Sequence, residues 1–239
     1  MIIDIHTHTG NEKIPVSLKD LRLSMESNGI DKSATFPLTQ PVPDGVIHKS
    51  IENAKRKENG IIPFLRFNPL TTPLDNLAEL SESFYGFKLH PRGEQFDPLD
   101  PRLAGAFKLI GDTRKPVILH SRKEAYPYSD PDRMVRLAEM YPQTNFIFAH
   151  FANDSDAFFA AISKYDNAYV DTSIVSSPKI IELRVNMVGA GKILFGSDFP
   201  YSDQQIELLK VQKCEIKESE KRSILYGNAA RLLGKVANQ

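Results

Sequence analysis

His6 and His8 stand one residue apart at the end of an apolar run, residues 2–5. His90, His120 and His150 each close a similar run: Gly86-Phe87-Lys88-Leu89-His90, Pro116-Val117-Ile118-Leu119-His120 and Asn145-Phe146-Ile147-Phe148-Ala149-His150. Asp198 follows Ile193-Leu194-Phe195-Gly196-Ser197 in the same way. Neutral imidazoles with a carboxylate are a donor set for zinc or a related divalent ion. Residues two apart in a strand share a face, so His6 and His8 can grip one ion, with Ile5 and Thr7 turned to the opposite side. Asp198 could instead cap a helix, but the next helical pattern starts after Ser202, which favours a ligand.

The elements that must carry these residues follow from periodicity. Strand-like runs recur at 2–5, 33–36, 61–67, 85–89, 117–119, 146–149, 168–171 and 193–195. Amphipathic patterns lie between them. Leu18, Leu21 and Met25 fall on one helical face between Ser17, a capping residue, and Gly29, a terminator. Asp130-Pro131 and Ser177-Pro178 each set a cap residue before a proline suited to the first helical turn. Eight strands alternating with helices predict parallel pairing with right-handed crossovers. The count predicts an α/β fold closed as a distorted (β/α)8 TIM barrel, one domain over 1–239. The stretch 215–234 reads as a C-terminal packing helix, with Ile224, Leu225, Ala229, Leu232 and Leu233 on its apolar face.

Loop lengths agree. Helix-to-strand returns are short, as at Asn59-Gly60 and Arg114-Lys115. Strand-to-helix connections, such as 37–45, 91–101 and 121–131, are long and rich in proline. The histidines close strands on the elaborated side, where a barrel gathers its catalytic groups.

Composition sets outer limits. Thirty basic residues balance thirty acidic ones in 239, without the basic surplus of a nucleic-acid-binding footprint. One cysteine, Cys214, permits no internal disulfide and fits a reducing compartment. No run has the length of a membrane span, and the first strand begins at Ile2, so a cytoplasmic protein is expected. The expected partner is a small-molecule substrate, with no nucleic acid and no membrane; homo-oligomerisation stays open.

Taken together, Ile3-Asp4-Ile5-His6-Thr7-His8, Gly86-Phe87-Lys88-Leu89-His90-Pro91, Leu119-His120-Ser121, Ala149-His150, Tyr169-Val170-Asp171-Thr172-Ser173 and Phe195-Gly196-Ser197-Asp198-Phe199-Pro200 resemble the amidohydrolase superfamily. The resemblance is to its amidohydrolase-related branch, which includes aminocarboxymuconate-semialdehyde decarboxylase-like and dicarboxylate-lactone hydrolase-like members. Gly227-Asn228-Ala229-Ala230-Arg231-Leu232-Leu233 is similar to that branch's ending. The resemblance implies that His6, His8, His120 and Asp198 are metal ligands and that His150 is a catalytic histidine beside the metal. It also raises carboxylation of Lys88, which in some members bridges two metals. The chain departs from the branch at Phe151-Ala152, where glycines often stand.

The chemistry these residues could perform is metal-assisted hydrolysis. A divalent ion, zinc by its donor set, lowers the pKa of a bound water from about 15.7 toward ~7. Asp198 can take and return a proton, and His150 can polarise a carbonyl. Lys88, His90, Arg66, Arg92 and Arg122 lie on or near strand ends of the same face, a cationic rim suited to a carboxylate-bearing substrate. The expected activity is hydrolysis of a small ester, lactone or amide through one divalent ion, with a second ion if Lys88 is carboxylated. The alternative is non-oxidative decarboxylation of an aromatic or unsaturated acid. A phosphoesterase reading lacks a histidine two residues beyond the late aspartate, where Pro200 stands. A TatD-like nuclease would want a glutamate near Lys88 and His90. A non-catalytic metal-binding barrel predicts a closed coordination shell and no open pocket.

Overall fold

The computed structural model describes residues 1–10, 14–38 and 60–234. His48, read from sequence as a surface position in a polar helix, lies outside them, as does most of the 37–45 connection. Eight strands form one sheet: β1 Ile3–Thr9, β2 Lys32–Pro37, β3 Ile61–Arg66, β4 Gly86–Leu89, β5 Val117–Leu119, β6 Phe146–Phe148, β7 Ala168–Asp171 and β8 Ile193–Leu194. They are ordered β1 through β8 and each pairs parallel with the next. The seam between β8 and β1 is joined by Ile5 N donating to Phe195 O (2.9 Å), Asp198 N to His6 O (2.8 Å) and His8 N to Phe199 O (2.7 Å). The fold is the expected TIM-type barrel.

Two apolar layers hold it. Phe36, Phe64, Ile118, Ile147 and Leu194 fill the interior. Phe87, Leu89, Val117, Phe146 and Phe148 face outward onto helices, meeting residues such as Leu21, Phe107, Phe158 and Ile181. Helix Leu18–Asn28 begins at Ser17, whose hydroxyl accepts from Asp20 N, and stops at Gly29 in the left-handed region (φ 64°). The two proline-marked starts become helices Pro131–Met134 and Pro178–Val188.

Helical segments from Glu218 to Leu233 follow β8. Ala229 and Leu233 join the interior layer from below. Asn228 donates to the carbonyls of Ala190 (2.8 Å) and Ile193 (2.7 Å), anchoring the segment where β8 begins. No helix of the described residues is long and apolar enough to cross a membrane.

One expectation fails locally. Ile5 does not face the helices; with Ile3 it belongs to the interior layer. The pairing of β1 with β2 shifts register between Asp4 and Thr7. A bulge there places one extra residue in β1, so the chain delivers Ile5 inward and then His6 and His8 inward as well.

Candidate metal centre and active site

The bulge aims His6 and His8 at the turn after β8. His8 Nε2 lies 3.0 Å from Asp198 Oδ1, and His6 Nε2 lies 3.3 Å from the same oxygen. Gly196 makes this approach feasible. A Cβ there would come within 3.0 Å of His6 Cβ and 3.1 Å of Asp171 Cβ. His6 Nδ1 is bonded to Asp171 Oδ2 at 2.7 Å. That bond puts the proton on Nδ1 and leaves the Nε2 lone pair facing Asp198, the arrangement by which a carboxylate behind a histidine orients a metal ligand.

These donors fit a divalent ion. Ligand atoms of His6, His8 and Asp198 all lie within 4.8 Å of one another. Nitrogen and oxygen ligands at about 2.0–2.2 Å from a tetrahedral ion sit roughly 3.3–3.6 Å apart. Burial holds the His6 and His8 imidazoles well below the usual histidine range, with the Lys88 charge acting in the same direction. They are therefore neutral, as ligands must be. The ends of the triad come from β1 and from the turn after β8.

His120 is not in this triad. Its Nδ1 faces His150 Nε2 at 2.9 Å and its Nε2 faces Glu124 Oε1 at 3.1 Å, so both ring nitrogens already have partners. His150 Nδ1 in turn meets Ser173 Oγ (3.0 Å), whose hydroxyl is 2.6 Å from Asp171 Oδ1. His150 Nδ1 also lies 3.9 Å from Asp198 Oδ2. Asp171 thus stands behind both His6 and His150. The run that ends in Asp171 is part of the family resemblance, yet the sequence assigns the residue no role. The signal was the same one that marked the histidines, a polar residue closing an apolar strand. Glu124, four residues beyond His120 on a loop, left no such signal.

Lys88 reaches the heart of the site. Its Nζ is 3.1 Å from His6 Nε2 and 4.8 Å over the Phe36 ring. Burial lowers its pKa to about 8, against the pull of Asp198 and Asp171. His90 stacks on His120, with ring centroids 3.8 Å apart, while its Nδ1 accepts from Gly93 N. Arg66 is not on the rim. It is 2% exposed, donates through Nε to Glu94 Oε1 at 2.7 Å and through Nη1 to the Pro37 carbonyl at 3.2 Å. Glu94 Oε2 accepts from His90 N (2.6 Å), so the buried Arg66–Glu94 pair props the strand end that carries His90. Arg92 pairs with Glu124 at 2.5 Å.

Above the triad opens a cavity of about 350 Å³. Imidazoles of His8, His90, His120 and His150 wall it, with Asp198, the cations Lys88, Arg92 and Arg122, and the side chains of Ile174 and Tyr201. An open, cation-rimmed cavity over three donors is unlike the closed shell of a structural metal site. Three of its walls have left-handed backbone, His150 at φ 58°, Ile174 at 53° and Asp198 at 62°, and the turn continues from His150 through Asp154 at φ between 44° and 58°. Glycine adopts this region without cost, which accounts for the glycines that often stand where this chain has Phe151-Ala152.

Residues 3–235 match the family profile described as Amidohydrolase. The chain belongs to the amidohydrolase family. This amidohydrolase matches no curated protein. Its fold is shared with a TIM-barrel protein from Bordetella bronchiseptica at 18% identity and TM-score 0.83, covering 100% of this chain and 99% of that one. It is shared with 2,6-dihydroxybenzoate decarboxylase from Rhizobium at 16% identity and TM-score 0.79, covering 97% and 98%. A dihydroxybenzoic acid decarboxylase from a Polaromonas species, solved with manganese and 2-nitroresorcinol, is similar at 14% identity and TM-score 0.78, covering 97% and 96%.

Proposed function

We propose that this amidohydrolase is a metal-dependent, non-oxidative decarboxylase of a small aromatic or unsaturated carboxylic acid. The observation that carries the reading is the cavity itself: Lys88, Arg92 and Arg122 surround the His6–His8–Asp198 triad and the His150 imidazole. Such a site suits a substrate whose carboxylate is both recognised and removed. The names of its structural relatives point the same way, and they favour carbon–carbon cleavage over the hydrolysis expected from sequence.

His6, His8 and Asp198 would hold the divalent ion, which supplies a Lewis acid to draw electron density from a substrate oxygen. The remaining chemistry belongs to the chain. Arg122 and Arg92 orient the carboxylate. Loss of CO₂ leaves an electron pair on the carbon that bore it, and a proton must arrive there. Support for Asp198 as the proton carrier is the division of its carboxylate, with Oδ1 facing the two imidazoles and Oδ2 toward His150. His150, neutral because burial holds it well below the ordinary histidine range, serves as a hydrogen-bonding partner to the reacting group.

A second reading concerns the metal count. Lys88 Nζ is next to a triad ligand, and His120 and His150 face each other 2.9 Å apart. Carboxylation of Lys88 would add a bridging ligand and let that histidine pair share a second ion. The donor set suits zinc, and manganese in the Polaromonas relative is the rival.

The test is a panel of hydroxybenzoates and unsaturated acids beside lactones and esters, with metal-loaded protein and released CO₂ as the readout. CO₂ from the acids, lost on chelation and in Asp198→Asn, is the expected result. Hydrolysis of lactones or esters without CO₂ from any acid would overturn it.

A further inference from the structure

Beside the reaction cavity lies a smaller hollow of about 180 Å³. The two share Arg122, His150 and Ile174 as walls, so they adjoin at those three side chains. Past them Phe151 and Val175, both buried, and the half-buried Ile180 form an apolar side, while the exposed Asn153 and Ser176 stand at the solvent edge. The carboxylate in its wall, Asp154, is already engaged by Arg184 Nε at 2.6 Å.

The backbone argues that this annex is built and not incidental. His150, Phe151, Asn153, Asp154 and Ile174 all line it, and all have positive φ. Left-handed backbone is unfavourable for such residues, most of all for β-branched isoleucine. It persists where surrounding contacts over-determine it, and it gathers at functional sites. Here Arg184 supplies the contacts: besides the Asp154 carboxylate it bonds the Asp154 carbonyl (2.9 Å) and Asp156 (2.7 Å), and it stacks over Phe159. Asp171 and Ser173 hold the other end through the His150 amide.

We infer that the annex binds a hydrocarbon substituent of the substrate, an alkyl or aryl group projecting past Arg122 away from the reacting carboxylate. The inference rests on the carboxylic-acid reading above. A shared His150 wall argues for one molecule spanning both spaces, because anything seated in the annex abuts the reacting end. Arg122 suits the junction: among the described residues no carboxylate pairs with its guanidinium, which leaves it for the substrate's own anionic group. The preferred substrate is then a substituted acid, not a compact one.

Calorimetric titration of the metal-loaded protein with benzoate and with 4-butylbenzoate tests this. Neither acid carries a ring hydroxyl, and binding is read apart from turnover. The butyl compound should bind at least tenfold more tightly. Ile180→Trp and, independently, Ser176→Trp should remove most of that gain by filling the annex, while benzoate binding stays within twofold. Ser176 is exposed, so its variant guards against a folding defect at Ile180. No gain in the wild type, or a gain that survives in both folded variants, overturns the annex and leaves the decarboxylase reading intact. Failure of both acids to bind overturns both. Binding with the expected pattern but no CO₂ release from any acid supports the annex and removes the decarboxylase reading alone.

Discussion

At the scale of single residues, Asp171 organises more of the site than any histidine. One buried carboxylate accepts from His6 Nδ1 (2.7 Å), from the His150 amide (3.0 Å) and from Ser173 through both its amide (3.1 Å) and hydroxyl (2.6 Å). Asp171→Asn sets an NH₂ against one of these donors, so either His6 or the His150 turn loses its support. Metal affinity should fall about 10–100-fold, the usual cost of losing a carboxylate behind a ligand histidine. His150→Ala should behave differently, retaining the metal of the wild type while turnover drops about 10²–10³-fold. Metal per subunit and a metal titration on both variants check the division of labour. A halved metal content in His150→Ala would instead favour the second ion bridged through Lys88.

At the scale of elements, the critical piece is the left-handed turn from His150 to Asp154. It joins β6 to helix Asp156–Ile162 and fixes the direction of the His150 ring. Its clamp, Arg184, comes from helix Pro178–Val188, with a nearly buried side chain against an Asp154 that is 34% exposed. Breaking a fully buried pair costs about 3–5 kcal/mol. Discounted for the exposure of Asp154, Arg184→Met should destabilise the fold by about 2 kcal/mol in urea unfolding. Metal binding should persist, because Asp171 still supports His6. A loss below about 0.5 kcal/mol would mean that the turn holds itself.

At the scale of the molecule, the triad bridges the barrel's seam. His8 and Asp198 are 190 residues apart in sequence, and β8 is only two residues long. An ion held by both ends of the sheet binds the folded chain alone, so its binding energy becomes folding energy. Zinc or manganese at about 100 times its dissociation constant should add about 2.7 kcal/mol. For a chain of this size that is a rise in Tm of roughly 5–10 °C, at about 2–4 °C per kcal/mol. A chelator should reverse the rise and His8→Ala should abolish it. An unchanged Tm on metal addition to wild type would refute a seam-closing ion.

The sequence alone determined the eight strands, the barrel they close and the strand ends that carry the site. Those features rest on local patterns: short apolar runs, cap residues such as Ser17, and short returns such as Asn59-Gly60. It also singles out His6, His8, Asp198 and His150 as candidates, since a polar group closing a buried strand is visible in one dimension. Tertiary structure decided which of these meet. Only the register shift in β1 turns Ile5 inward, and a bulge depends on the neighbouring strand. Whether His120 faces a metal or His150, and whether Arg66 meets substrate or Glu94, depends on loops that converge from distant parts of the chain. The annex arises in the same way. Its walls come from the loop after β5, the turn after β6, the loop after β7 and the helix beyond, and no periodicity within any one of them records that they form a single space.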